Sequence, residues 1–269
     1  MDTRVISHRF PRASAYHPDW LLGGAAGGAN PLWLTEWLCE TIELRPGMKV
    51  LDLGCGRAMS SIFLHREFGA EVWATDLWFS AAENAQRIND AGCNSGVFPI
   101  SANARSLPFA ENFFDAIVSI DSYMYYGTDE FYLNYLARFV KPGGPIGIAQ
   151  AGIREEFGIN IPTQLQDWWA AERPQGMHSA EWWRHHWACS GVLDIDTADT
   201  LADGWKFWLD WLNFMNPESA TEIDALKSDA GRNLGYVRAV ARRRPGVELF
   251  DPSFSVPPNY TKAPLLRDV

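Results

Sequence analysis

A turn containing two glycines follows an acidic, apolar run near residue 50, and this pattern is typical of a site for a nucleotide-type cofactor. The run at residues 49–53 suits a buried strand, and Gly54 and Gly56 come directly after it. Glycine lets the backbone turn sharply and approach a ligand closely. A second apolar run ends at Asp76, about 20 residues after the turn, where nucleoside-binding folds place a carboxylate for ribose hydroxyls. These residues predict a nucleoside site at the carboxyl ends of two strands.

Strands and helices alternate along the rest of the chain. Further strands are predicted at residues 113–120, 145–149, 192–198 and 235–242. Helices are predicted at residues 30–39, 58–68, 80–91, 129–140 and 179–190. Repeated strand-helix-strand units indicate a parallel sheet. We therefore expect an α/β fold, a Rossmann-like and mostly parallel seven-stranded sheet with helices on both faces.

The order of these segments resembles that of the class I S-adenosylmethionine-dependent methyltransferases. The resemblance covers roughly residues 30–244 and includes the Lys-Pro-Gly-Gly turn at residues 141–144. It is closest to the small-molecule branch, with the ubiquinone/menaquinone-type and cyclopropane-fatty-acid-synthase-like enzymes. It implies S-adenosyl-L-methionine as the cofactor. The implied cofactor contacts are Asp52, Gly54, Cys55, Gly56, Asp76, Leu77, Trp78, Asn103, Ala104 and Asp121.

One of these positions departs from the family pattern. The family usually has Gly-Asp-Ala ahead of its Leu-Pro-Phe, and the aspartate binds the adenine amino group. This chain has Asn103 there, followed by Ala104 and, three residues later, the Leu-Pro-Phe of residues 107–109. The amide oxygen of Asn103 is still an acceptor for that hydrogen bond.

Acceptor contacts are expected where the fourth strand ends, because in the family this end faces the donor methyl group. Asp121, Tyr123 and Tyr125 are the first candidates, with loop capping and core packing as the alternative. Gln150, after the fifth strand, is a weaker candidate. His178 could act as a base on the acceptor, although an exposed or structural histidine is the preferred interpretation. The expected chemistry requires no metal.

The resemblance divides the chain into a body and its additions. Residues 1–29 are an N-terminal arm or lid, residues 30–244 the methyltransferase domain and residues 245–269 a tail. Insertions at about 154–178 and 202–233 would build a substrate cover.

The arm contains glycine pairs at residues 23–24 and 27–28, so a flexible tail is the default expectation. The alternative is a lid that orders on binding, in which Tyr16 and Trp20 would contact cofactor or substrate.

Tryptophan is concentrated in residues 168–211. The residues are Trp168, Trp169, Trp182, Trp183, Trp187, Trp205, Trp208 and Trp211. Core packing is one explanation, since Trp183 and Trp187 are four residues apart on one helix face. The other is an aromatic chamber that excludes water and favours an apolar or cationic substrate. Both explanations can hold for different residues.

Composition restricts the partners. The net charge of −10 argues against a nucleic-acid substrate, because phosphate contacts need clustered Lys and Arg. The basic run at residues 242–244 is expected to be a solvated strand end. The four cysteines are widely spaced, and no apolar stretch is long enough for a membrane span. We expect a cytoplasmic protein that acts on a small-molecule acceptor, with a homodimer through an exposed tryptophan surface as a possibility.

Three functions follow from the sequence. The first is methyl transfer to a small molecule, with nitrogen or oxygen acceptors ahead of carbon. The second is an NAD-dependent oxidoreductase, but the turn at residues 54–59 lacks the third glycine of the dinucleotide fingerprint. The third is a non-catalytic partner protein that binds the cofactor and uses the tryptophan-rich surface as an interface.

Overall fold

A seven-stranded sheet forms the centre of the computed structural model, which describes residues 5–25, 27–174 and 176–249. The strands are β1 Lys49–Leu53, β2 Glu71–Asp76, β3 Val97–Ser101, β4 Ala116–Ile120, β5 Pro145–Ile153, β6 Leu193–Thr200 and β7 Leu234–Arg243. Their order is β3-β2-β1-β4-β5-β7-β6. The first five strands in this order pair in parallel, and β7 is antiparallel to both β5 and β6. The predicted α/β fold class is confirmed.

Helices cover both faces of the sheet. They are α1 Pro18–Gly24, α2 Pro31–Leu38, α3 Met59–Phe68, α4 Ala81–Asp90, α5 Tyr132–Leu136, α6 Gln166–Glu172, α7 Ala180–Cys189, α8 Gly204–Met215 and α9 Ala220–Asp229. Neighbouring residues of β1 enter different apolar clusters, because side chains of a strand alternate between its faces. Val50 packs in the cluster with α2 and α3, whereas Leu51 packs in the cluster with α5 and α7. Within the described ranges, no helix is long and apolar enough to cross a membrane.

The helix ends follow the sequence signals. Asn30 caps α2 by accepting hydrogen bonds from the backbone N–H groups of Leu32 at 3.0 Å and Trp33 at 3.3 Å. Ser80 and Glu83 form a capping box at the start of α4. Gly69 ends α3 in the left-handed conformation, with φ of 70°. These three predictions are confirmed.

Other boundaries differ from the prediction. The helix predicted at residues 129–140 is only Tyr132–Leu136. The chain then leaves the helix, because the backbone oxygen of Phe139 accepts a hydrogen bond from the N–H of Phe114 at 2.9 Å. Strand β3 was not assigned from the sequence, and it contains Pro99. A proline is tolerated there because β3 lies at the edge of the sheet.

The N-terminal arm is packed rather than free. The hydroxyl of Tyr16 donates a hydrogen bond to Glu67 Oε1 at 3.0 Å. The Tyr16 ring lies 5.7 Å from Phe63 and 5.3 Å from Trp20, between ring centroids. The flexible tail that the glycine pairs predict is therefore not found at residues 5–25, where Tyr16 packs on α3 and Phe10 packs on Trp33 of α2. Residues 1–4 and 26 lie outside the described residues, as do residues 250–269 of the predicted tail.

Arginines of the predicted solvated strand end join β7 to the edge strand β6. Arg242 Nε lies 2.8 Å from Asp196 Oδ2, and Arg244 Nε lies 2.6 Å from Asp194 Oδ1. All four side chains are partly exposed, so each ion pair adds little to stability. The basic run is thus paired with the acidic face of β6.

Candidate functional site

A cavity of about 850 Å³ lies at the carboxyl ends of β1, β2 and β4. One end, here the glycine end, is lined by Gly54, Cys55, Gly56, Asp76, Leu77, Trp78, Asn103 and Ala104. The opposite end, here the tryptophan end, is lined by Trp168, Glu172, Trp208 and Glu222. Asp121 and Tyr125 also line the cavity. Ligands of open α/β sheets bind at this edge, so the position agrees with the fold.

The turn after β1 needs glycine at its first position. Gly54 has φ of 75°, and its N–H donates a hydrogen bond to the backbone oxygen of Thr75 at 2.8 Å. A Cβ atom on Gly54 would lie 1.9 Å from Ser122 Oγ. The close approach and the left-handed backbone both exclude larger residues. The turn therefore presents bare backbone to the cavity.

Asp76 is fixed in the cavity wall by backbone donors. Its Oδ2 accepts a hydrogen bond from the N–H of Gly56 at 2.8 Å. Its Oδ1 accepts from the N–H groups of Trp78 at 2.7 Å and Phe79 at 3.0 Å. A carboxylate has about four lone-pair sites, so acceptor capacity remains for a ligand hydroxyl.

Asp52 lies outside the cavity, which corrects its assignment as a cofactor contact. It is fully buried, on the same face of β1 as Val50. Its Oδ2 accepts hydrogen bonds from the hydroxyls of Ser60 at 2.5 Å and Ser61 at 2.6 Å. Burial raises the pKa of the Asp52 carboxyl to about 6, although the two serine hydroxyls lower it. Asp52 therefore supports the start of α3, where Ser60 reaches the cavity.

Asn103 lies in the cavity wall beside Ala104. Its Oδ1 accepts a hydrogen bond from the backbone N–H of Arg105 at 2.9 Å, which is an Asx turn. An amide oxygen has two lone pairs, so one remains for a ligand. The proposed adenine contact is compatible with this geometry.

Aromatic side chains flank the cavity opening. Trp78 is 74% exposed, and its ring lies 5.6 Å from the ring of Tyr125, between centroids. Leu77 and Tyr125 are also exposed. Large exposed apolar groups beside a cavity can cover a flat ligand group.

Asp121 connects the N-terminal arm to the sheet. Its Oδ2 accepts a hydrogen bond from the N–H of Ala29, and its Oδ1 accepts one from the N–H of Ala151, both at 3.1 Å. Burial raises the pKa of the Asp121 carboxyl, and the two backbone donors lower it. Asp121 has φ of 50°, so the chain turns at this residue. Its carboxylate thus faces the cavity while both oxygens are engaged.

Tyr123 and Gln150 do not line the cavity. Tyr123 is fully buried, and its ring lies 5.5 Å from Trp183 and 5.7 Å from Trp187, between centroids. Gln150 is also fully buried, and its Oε1 accepts a hydrogen bond from the N–H of Met124 at 3.1 Å. The sequence could not show this, because it did not reveal which face of the loop turns inward. Both are packing residues here, so the structure corrects the acceptor roles predicted for them.

His178 also lies away from the cavity. Its ring stacks on Trp182 with centroids 3.6 Å apart, and its Nδ1 lies 3.0 Å from Glu156 Oε2. Glu156 in turn accepts a hydrogen bond from the N–H of Ser179 at 2.7 Å. This arrangement corrects the base role for His178 and agrees with the structural alternative.

The arm reaches the cavity through its small residues. Gly24, Gly27, Gly28 and Ala29 line the cavity, whereas Tyr16 and Trp20 pack on α3 and α4. A Cβ atom on Gly28 would lie 2.4 Å from Asp121 Oδ2. Neither aromatic residue lines the cavity, and a lid role for the arm stays a prediction.

Two of the clustered tryptophans line the cavity. Trp168 of α6 and Trp208 of α8 have ring centroids 6.1 Å apart and planes at 75°. Trp208 Nε1 donates a hydrogen bond to Glu222 Oε1 at 2.9 Å. Trp183, Trp187 and Trp211 are also buried, but they do not line the cavity. Packing therefore applies to all five residues, and a chamber wall built by Trp168 and Trp208 stays a prediction.

The carboxyl groups at the tryptophan end influence one another. Burial raises the pKa of Glu222, the hydrogen bond from Trp208 lowers it, and the charges of Glu172 and Asp121 raise it further. Sequence reasoning missed Glu172 and Glu222. No motif surrounds them, and the available signal was only their position in the two predicted insertions.

Residues 50–144 match the family model of a methyltransferase domain. The chain is 33% identical over 122 residues to the methyltransferase GfsG of Streptomyces halstedii, covering 45% of this chain and 44% of that protein. It is 34% identical over 113 residues to a demethylmenaquinone methyltransferase of Corynebacterium efficiens, covering 41% and 45%. The matched part is thus under half the length of these relatives. An uncharacterised protein of Mycobacterium tuberculosis is 28% identical and matches over 72% of both chains.

Solved structures show the same fold. Geranyl diphosphate C-methyltransferase from Streptomyces coelicolor A3(2) has a TM-score of 0.63 and 22% identity, over 78% of this chain and 77% of that chain. Phosphoethanolamine N-methyltransferase 2 of Haemonchus contortus has a TM-score of 0.65 and 16% identity, over 88% and 58%. The first neighbour is a C-methyltransferase and the second an N-methyltransferase.

Proposed function

We propose that this chain, which carries the domain and the fold of a class I S-adenosylmethionine-dependent methyltransferase, transfers a methyl group from S-adenosyl-L-methionine to a small molecule. One observation supports the proposal above the others: a single cavity joins the glycine end to the tryptophan end. The first end suits the donor, and the second has the volume and polarity for an acceptor. Nitrogen or oxygen is favoured over carbon as the acceptor atom, because carboxyl groups line the second end.

The donor fits the residues of the glycine end. The free lone pair of Asp76 suits a ribose hydroxyl, and Asn103 suits the adenine amino group. The bare backbone of Gly54 and Gly56 suits the methionine part. Leu77 and Trp78 stand where they can cover the adenine ring.

S-adenosylmethionine supplies a methyl group bonded to a positively charged sulfur. The protein must align the acceptor lone pair behind that methyl group and exclude water. Trp168 and Trp208 provide apolar walls, and Asp121 holds Ala29 across the cavity. Glu222, with its raised pKa, is a suitable group to take a proton from the acceptor.

Thermal unfolding with added nucleosides tests the donor. S-adenosylhomocysteine should raise the melting temperature, because a ligand at 100 times its Kd stabilises by about 2.7 kcal/mol. NAD should leave it unchanged, and stabilisation by NAD alone would support the oxidoreductase instead. Asp76→Ala should lose the S-adenosylhomocysteine effect, whereas Asp224→Ala, an exposed aspartate on α9, should keep it.

Turnover separates an enzyme from a binding protein. Release of S-adenosylhomocysteine should be measured with a panel of small amines, phenols and activated carbon acids. Transfer to an amine or phenol is the expected result. Tight donor binding with no transfer to any acceptor would favour the non-catalytic partner protein.

A further inference from the structure

Negative charge collects at the tryptophan end of the cavity. Asp121, Glu172 and Glu222 line the cavity there, and Arg173 is the basic residue beside them in its wall. The carboxyls are close enough to interact, since Asp121 and Glu172 both raise the pKa of Tyr125 as well as that of Glu222. The other two lining arginines belong to the glycine end and are engaged there. Arg57 donates to the backbone oxygen of Ala25, and Arg105 pairs with Asp129 at 2.9 Å.

Aromatic rings enclose the same end. Trp208 lies between the cavity and Tyr236, whose ring is 5.6 Å away and nearly parallel, with an interplanar angle of 21°. Trp168 stands at 75° to Trp208. Tryptophan faces attract cations within about 6 Å, and the attraction grows as the site is shielded from water. Acidic and aromatic groups together therefore favour a positively charged occupant.

We propose that the tryptophan end binds a small cationic amine, and that Glu222 is the carboxylate that pairs with the amine. The proposal rests on the proposed methyl transfer, since it names the acceptor class of that site. Trp208 fixes the position of Glu222 through the 2.9 Å hydrogen bond to Oε1. The other oxygen, Oε2, accepts a hydrogen bond from the Ser219 hydroxyl at 3.4 Å and keeps acceptor capacity for the amine.

The transfer balances for this class of acceptor. An amine that arrives protonated gives its proton to the Glu222 carboxylate and becomes neutral. Its nitrogen lone pair then forms the new bond to the methyl carbon, while the carbon–sulfur bond breaks and sulfur keeps that electron pair. Positive charge moves from sulfur to nitrogen, so the product is an ammonium group among Glu222, Trp168 and Trp208.

Binding of choline and of its neutral carbon analogue, 3,3-dimethyl-1-butanol, tests the proposal. The two molecules have the same shape and hydroxyl and differ in charge. They should be titrated by calorimetry into protein saturated with S-adenosylhomocysteine. Choline should bind about tenfold more tightly, as expected for a cation–π site with a carboxylate. Equal affinities, tighter binding of the alcohol, or no measurable binding of choline would each overturn the proposal.

Matched variants locate the effect. Glu222→Gln keeps an oxygen for the Trp208 hydrogen bond but removes the charge, so it should abolish most of the preference for choline. Glu218→Gln makes the same charge change at an exposed position just before α9 and should keep the preference. An unchanged preference in Glu222→Gln would overturn the role of Glu222.

The donor is measured separately in the same proteins. Both variants should bind S-adenosylhomocysteine as tightly as the parent protein, because Glu222 is at the other end of the cavity. If the parent protein binds S-adenosylhomocysteine but does not prefer choline, only the proposed acceptor class is overturned, and the proposed methyl transfer is unaffected. Failure of the parent protein to bind S-adenosylhomocysteine would instead overturn the proposed methyl transfer.

Discussion

The glycine end and the tryptophan end of one cavity are built in different ways. The glycine end is formed by residues 53–79 and 102–105. It consists mainly of backbone and of side chains that backbone N–H groups hold in place. Its central carboxylate, Asp76, is held by three N–H groups. The tryptophan end consists of side chains from α6, α8 and α9, which lie far apart in the sequence. One of its carboxylates, Glu222, is held by two side chains, through the indole N–H of Trp208 and the hydroxyl of Ser219.

Because of this difference, we expect the two ends to differ in how well they tolerate substitutions. A backbone site depends on conformations that few residues can adopt, so a substitution there disturbs the whole turn. A side-chain site on separate helices can change one contact at a time. We therefore expect large, concentrated effects at the glycine end and smaller, separable effects at the tryptophan end.

Gly54→Ala should have the largest effect. The added Cβ would lie 2.5 Å from Ser122 Cβ and 1.9 Å from Ser122 Oγ, in a residue with φ of 75°. Strain of about 1–3 kcal/mol together with the displaced Ser122 should weaken S-adenosylhomocysteine binding on the order of 100-fold, as measured by calorimetry. Gly92→Ala is the control, because Gly92 has φ of 68° with no atom within 4 Å of the added Cβ. Equal losses in both variants would show that backbone strain alone, and not close approach, decides the effect.

Asp52→Asn should change how stability depends on pH. The folded pKa of about 6 is above the ordinary value of 3.8, so the protonated form is favoured in the folded state. Protonation of Asp52 makes its full contribution to the free energy of unfolding below about pH 4. That contribution is at most about 3 kcal/mol, and it is lost as the pH rises through 6. Urea unfolding of the parent protein should therefore show greater stability at pH 5 than at pH 7, and Asp52→Asn should reduce that difference.

The exposed aspartate Asp224 provides the comparison for this variant. Asp224→Asn should keep the pH dependence of the parent protein. If Asp52→Asn also keeps the pH dependence of the parent protein, burial of Asp52 does not cause that dependence. The glycine end would then depend less on the buried carboxyl of Asp52 than the structure indicates.

Trp208→Phe should have the smallest effect and the most local one. The ring face is retained, but Glu222 loses the N–H that fixes its Oε1. Losing one hydrogen bond to a charged group costs about 1.5–3 kcal/mol in a buried site and less at half-buried Glu222. Choline affinity should therefore fall several-fold. S-adenosylhomocysteine affinity should be unchanged. Trp183→Phe is the control, because its buried N–H has no hydrogen-bond partner among the described residues. A loss of donor affinity in Trp208→Phe alone would show that the two ends are not separable.

The glycine end was predictable because its parts are close in sequence and have few allowed residue types. The positive φ of Gly54, the carboxylate of Asp76 and the caps at Asn30 and Ser80 each follow from local backbone chemistry. Asp52 belongs to the same motif but was assigned wrongly as a contact. Its position depends on which face of β1 carries the helix layer, and a single strand does not show this.

For the tryptophan end, the sequence predicted only that the region is rich in tryptophan. Many tryptophans occur in residues 168–211, and the packing explanation applies to five of them. It could not show that Trp168 and Trp208 would line the cavity while Trp183 and Trp187 would pack on Tyr123. That selection depends on how α6, α7 and α8 pack, because all three helices carry tryptophan.

The sequence by itself determined the α/β architecture, the glycine turn and the carboxylate of Asp76, since each depends on local conformation and on the alternation of strands and helices. Only the tertiary structure decided which acids and rings share the cavity. Glu172 and Glu222 have no motif around them, and they come to line one cavity only because α6 and α9 pack together over the sheet edge. His178 and Tyr123 looked suitable for chemistry in the sequence, but aromatic packing and Glu156 hold them away from the cavity.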